Sequence, residues 1–244
     1  MGTGLRRARA DGTLVRRAVT ALGEADVLDA WTTARHADRS ALIDHLGHLA
    51  LGERAATTPW DVATRELLVI AAARGRPEVV TDCPACATHV EATVPVDHLV
   101  RAHDDRPPGD RATNEPTRPP AVADMVAVAA LAPDEAADEI ARRCGLDVLD
   151  DDALAATLSR WDDEHVLLAP SLATTCPACG TEVELAIDAV ALAWATIGDL
   201  ATGVLDDVAA LARGFGWTEA EVLAVPPARR RMYRDHLEGI GANG

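Results

Sequence analysis

The tetrapeptide Cys-Pro-Ala-Cys occurs twice, at Cys83–Cys86 and at Cys176–Cys179. Aligning the two copies extends the repeat. Thr81–Asp97 reads TDCPACATHVEATVPVD, Thr174–Val190 reads TTCPACGTEVELAIDAV, and eight of the 17 positions are identical. Val90, Ala92 and Val94 alternate with polar residues, the period of a half-buried strand. Each copy therefore reads as a strand, a tight turn bearing two thiols, and a second strand: one structural unit used twice.

A pair of thiolates on one turn is half of a tetrahedral metal site, and two such turns facing each other supply four soft ligands. Cys83, Cys86, Cys176 and Cys179 are the expected ligands of one structural zinc ion. Pro after the first cysteine fixes φ, and Gly180 permits a tight backbone after the second pair; Ala87 replaces that glycine in the first copy. The 89 residues between Cys86 and Cys176 become an insertion closed by the ion. Three alternatives stay open: redox dithiols, ordinary buried thiols, or a separate metal at each pair completed by His89 or His98. Cys144, the fifth cysteine, reads as a buried thiol at a helix end. With an odd count and no secretion signal, a disulfide framework is not expected.

The formal net charge is −16, from 39 acidic residues against 23 arginines and no lysine. Such a field repels phosphate and argues against nucleic acid as a general partner. The first twenty residues run the other way, with five arginines and one aspartate. Apolar runs such as Leu67–Ala73 are short, so neither a membrane span nor an export signal is expected, and the chain reads as cytoplasmic. No nucleophile, phosphate-loop or zinc-protease motif occurs. A four-thiolate ion has no open position, so no catalytic residue and no small-molecule substrate are expected.

The predicted architecture is mainly α with two small β zinc knuckles, an α+β arrangement with a helical insertion. Residues 1–57 read as an N-terminal helical arm, with helices over Leu14–Leu22, Ala25–Arg35 and Arg39–Ala50. Residues 58–103 hold a helix over Pro59–Arg74, capped by Thr58, and the first knuckle. Residues 104–120 contain five prolines and seven charged residues and read as an exposed linker. Residues 121–175 form the insertion, with helices over Ala121–Leu131 and Asp134–Cys144 and acidic clusters at Asp150–Asp152 and Asp162–Glu164 that suit solvated helix ends. Residues 176–244 carry the second knuckle and the C-terminal helices. There Val190, Trp194, Ile197, Ala201, Val204, Val208, Leu211 and Phe215 trace an apolar seam, and Gly198 and Gly203 predict a bend in it. Thr218 and Glu221 form a capping box.

The CPACG at Cys176–Gly180, then Asp188 and Trp194, then LARGFGWTEAEVLAVPPARRRMY at Leu211–Tyr233 resemble the T4-family baseplate hub assembly chaperones, whose relatives accompany extracellular contractile injection systems. Weaker echoes are LALGERA at Leu49–Ala55 and the Arg143–Cys144 pair. The helix before the first knuckle, WDVATRELLVIAAARG, departs from the Arg-rich helix of that family. The resemblance implies a non-enzymatic assembly factor or minor component of a contractile tail-like baseplate, zinc-stapled, binding hub or other baseplate proteins and located in the cytoplasm or within the particle. Trp217, Arg229, Arg230, Arg231 and Tyr233 are the expected partner-binding residues, with the arginines solvated. Two other classes compete: a zinc-containing DNA-binding regulator, from the arginine run beside Pro226, and a dithiol oxidoreductase.

Overall fold

The computed structural model describes residues 23–106 and 117–241. The expected helix Leu14–Leu22 and most of the expected linker lie outside the described residues. The fold is mainly helical, with two small antiparallel two-stranded sheets. Helices α1 (Glu24–Ala34) and α2 (Arg39–Leu51) lead through a 3-10 turn at Gly52–Thr57 to α3 (Trp60–Ala71). The hairpin β1 (Glu78–Asp82) and β2 (His89–Thr93) and helix α4 (Val96–Asp104) complete the first half. Helices α5 (Val122–Val128), α6 (Pro133–Cys144) and α7 (Asp151–Glu164) come next. The second hairpin, β3 (Ser171–Thr175) with β4 (Glu182–Ala186), runs into α8 (Ala189–Phe215), and α9 (Glu219–Ala224) and α10 (Pro227–Gly241) end the fold.

The core is built on α3 against α8. The apolar run Leu67, Leu68, Val69 and Ile70 buries every side chain, because α3 is enclosed on several sides. It meets the stripe Ala193, Ile197 and Ala201 of α8, all fully buried. Truncating a fully buried leucine such as Leu68 to Ala in such a site costs roughly 2–5 kcal/mol. The hydroxyl of Thr196 donates to the carbonyl oxygen of Ala71, 3.0 Å away, satisfying an acceptor left free at the end of α3. Helix α8 is continuous across 27 residues, so Gly198 and Gly203 do not break it. Gly198 is there for clearance: a Cβ at that position would stand 2.9 Å from the Trp31 ring, which itself stacks on Trp194 at 4.8 Å. By length and composition alone α8 is long and apolar enough to cross a membrane, a test that the core helix of a folded domain also passes. Its buried face packs against α1, α2 and α3 as the core.

Three expectations about organisation are corrected. Residues 23–57 are not an arm, since Val27, Ala30, Ile43 and Leu46 lie in the main core. The insertion is narrower than residues 121–175: Val122 of α5 belongs to the main core, while α6 and α7 make a satellite around Cys144, Leu146 and Trp161. The described ends of the linker are not free. Asp104 closes α4, the Trp60 amide donates to the Pro120 carbonyl at 2.8 Å, and Arg118 forks onto buried Asp124 at 2.6 and 3.1 Å. Thr58 does not cap α3 through its side chain; its hydroxyl donates back to the carbonyl of Arg54.

Candidate metal centre

The two hairpins follow one plan residue by residue. Thr81 pairs with Val90 as Thr174 pairs with Val183, and Asp82 with His89 as Thr175 with Glu182. The amide of Val94 donates to Pro77 at 2.8 Å, and that of Ile187 to Pro170 at 2.9 Å, closing the open ends alike. Within the turns, the amide of Cys83 donates to Thr88 and that of Cys176 to Thr181; the amide of Ala87 donates to Cys83 and that of Gly180 to Cys176. The last bond requires a left-handed residue. Gly180 takes φ 76° without penalty, and Ala87 takes φ 56° with a Cβ that resists it. Ala87 is the only described non-glycine residue with positive φ, so the first turn holds a strained geometry that the surrounding bonds impose.

The turns face each other and bring four sulfurs together. Cys83 Sγ lies 3.6 Å from Cys179 Sγ, Cys86 Sγ lies 3.7 Å from Cys176 Sγ, and all four lie within 4.8 Å of one another. A tetrahedral ion with thiolates at about 2.3 Å places its sulfurs about 3.8 Å apart, so the set could hold a metal ion after shifts of up to about half an ångström per sulfur. Both short contacts run between the motifs and not within one. Cys83 and Cys176 are buried with Val90, Val183 and Leu185, while Cys86 and Cys179 reach the surface. His89 points to solvent beside Asp82 and His98 is exposed; neither belongs to the cluster.

The environment favours thiolates at the exposed pair. Thr88 sets its hydroxyl 3.3 Å from Cys86 Sγ, and Thr181 sets its own 3.3 Å from Cys179 Sγ. Hydroxyl and amide of Thr181 draw the Cys179 thiol down to about 6, and those of Thr88 lower Cys86. The threonine kept in both copies of the repeat thus has a chemical reason. Cys144 is the opposite case: burial pushes its thiol up to about 11, as suits an inert core residue.

The expected partner-binding residues are separated by the structure. Trp217 and Tyr233 meet Phe215 in one cluster, with Phe215 stacked on Trp217 at 5.1 Å and Tyr233 edge-on to both. Arg229 and Arg231 are exposed. Arg230 is not solvated, contrary to expectation, and is 1% exposed. It pairs with Glu24 of α1, reaches Asp207 of α8 at 3.2 Å, and donates to the carbonyls of Val222 and Val225 at 3.2 and 3.1 Å. Helix α10 turns Arg230, Arg234 and Leu237 inward, at helical spacing. One polar cluster has no sequence signal. Buried Asp61 receives His165 Nδ1 at 2.8 Å and faces His103 Nε2 at 3.5 Å, while the other nitrogen of His103 faces Asp104 at 3.4 Å. Comparison of the chain with protein-family models, with curated proteins and with solved structures returns no match.

Proposed function

We propose that the protein is a non-enzymatic assembly factor or minor component of a contractile phage-tail-like baseplate, folded around one zinc ion held by Cys83, Cys86, Cys176 and Cys179. The observation that carries this reading is the joint occurrence of CPACG at Cys176–Gly180 and the Leu211–Tyr233 segment, each resembling the baseplate hub assembly chaperones. In the fold they flank the two ends of α8, so the helix that fills the core also fixes the distance between them. Zinc is the ion that four thiolates on two facing turns suit best, and a closed four-thiolate set is structural. The two knuckles, each contributing half of the site, then pin the ends of the helical insertion together. Its partners are hub or other baseplate proteins, reached in the cytoplasm or within the particle, with no part for nucleic acid, membrane or small-molecule substrate.

The test is deletion of the gene in its own host, with negative-stain microscopy of the particles and complementation by wild type. Few complete particles, restored by the wild-type gene but not by Cys83→Ser, support the reading. Normal particle numbers in the deletion strain, or a genome without sheath and tube genes, overturn it.

A further inference from the structure

The chain has one phenylalanine and one tyrosine in 244 residues. Both stand in the surface cluster with Trp217, Phe215 being 39% exposed and Trp217 and Tyr233 half-buried. Met232, 69% exposed, adjoins Tyr233, and Arg229 lies one turn earlier on the same face of α10. Aromatic rings, methionine and arginine are the side chains that concentrate at the centres of protein interfaces.

The face is also rigid. Gly216 ends α8 with its amide on Ala212, and Thr218 and Glu221 cap α9 reciprocally at 2.8 and 3.3 Å. Buried Arg230 fastens α10 beneath, so little ordering remains for binding to impose. Charge selects the occupant. Of the arginines on α10, Arg230 and Arg234 pair with carboxylates of the chain, whereas exposed Arg229 pairs with none of the described residues, so its guanidinium beside the rings is open to an acidic group.

We infer that Phe215, Trp217, Met232, Tyr233 and Arg229 form a docking face for a segment of another protein that carries an apolar anchor beside a carboxylate. The anchor lies against the rings and Met232, and the carboxylate takes the guanidinium fork of Arg229. The inference rests on the baseplate reading for the kind of partner, but not for the face. Arg231 sits on the other side of α10 and has no part in it.

Each protein encoded beside this gene is purified and titrated against the full-length, metal-loaded chain by calorimetry. The variants are Arg229→Glu and Met232→Glu, with Arg231→Glu as the control. All three change exposed side chains, so melting temperature and metal content should match wild type. Affinity for one neighbour should fall about tenfold or more with either face variant, and less than about twofold with the control. Binding that survives both face variants, falls equally with Arg231→Glu, or is absent for every neighbour overturns the face. A wild-type dimer that Met232→Glu dissolves also overturns it, because the occupant is then a second copy. If the neighbour bound is unrelated to contractile particles yet shows this variant pattern, the face stands and the baseplate reading falls. If baseplate proteins bind all variants alike, the reverse holds.

Discussion

Replacing Arg230 with methionine tests the part of the C-terminal arrangement that the sequence conceals. The guanidinium is 1% exposed and serves four acceptors: the carboxylates of Glu24 and Asp207 and the carbonyls of Val222 and Val225. Methionine keeps most of the volume and removes every donor. Breaking a buried ion pair costs about 3–5 kcal/mol because the surviving charge stays behind. Here Glu24 retains 30% exposure and can recover some hydration, and Asp207 keeps Arg234 at 2.7 Å, so the low end, about 3 kcal/mol, applies. In a chain of this length each kcal/mol moves the midpoint by about 2–4 °C, so Tm should drop by about 6–12 °C in calorimetry. Arg229→Ser and Arg231→Ser, at exposed positions, should stay within about 0.5 kcal/mol of wild type. An Arg230→Met protein within that same margin would refute the buried latch, as would equal losses at all three arginines.

Cys83→Ser and Cys176→Ser should each abolish zinc binding by plasma emission spectroscopy, from near one ion per chain; two ions per chain, or half the metal left in each variant, would sink the shared site. The Asp61–His103–His165 cluster should make stability depend on pH in both directions. Burial pushes Asp61 up, yet the His103 and His165 donors outweigh it and hold the carboxyl below its ordinary range, so its contribution fades in acid. The Asp61 and Asp104 carboxylates raise His103, whose contribution is complete below its unfolded pKa of about 6.5 and is lost as pH rises through the folded value. Urea titrations should therefore show the gap between wild type and Asp61→Asn narrowing above about pH 6.5; a gap that is flat with pH counts against the cluster. Gly198→Ala should destabilise by about 1 kcal/mol, since crowding against Trp31 exceeds the helix-propensity gain. Adding Trp31→Leu should remove much of that penalty, and strict additivity would contradict the contact.

What the sequence made legible was local or repeated. The CPAC duplication located both hairpins, Thr218 and Glu221 announced the start of α9, and Gly145 marked the end of α6. Helix α4 went unread because its nine residues give little more than two turns of apolar spacing, and of α7 only the acidic ends were read. Long-range electrostatics was illegible for a different reason. Arg229, Arg230 and Arg231 look alike as a charge run, and only the arrival of Glu24, 206 positions earlier, and Asp207, 23 earlier, singles out the middle one. Asp61 and His165 are 104 positions apart with no motif at either end, and Arg118 looked solvated until Asp124 folded beneath it. The four-cysteine cluster was legible at equal distance because identical halves advertise each other.

That distance has a consequence during synthesis. Cys86 and Cys176 are 90 positions apart, and at about 5–20 residues per second the ribosome needs roughly 5–20 s to deliver the second after the first. Throughout that interval the first turn offers two cysteines, and the left-handed Ala87 between them and β2, with no second turn opposite to hold them. Helix α8, the main counterpart of α3, emerges later still, so until then the apolar run Leu67–Ile70 lacks its largest packing partner. The second hairpin and α8 leave the ribosome in immediate succession, so the meeting of the four cysteines and the closure of the core arrive as one event.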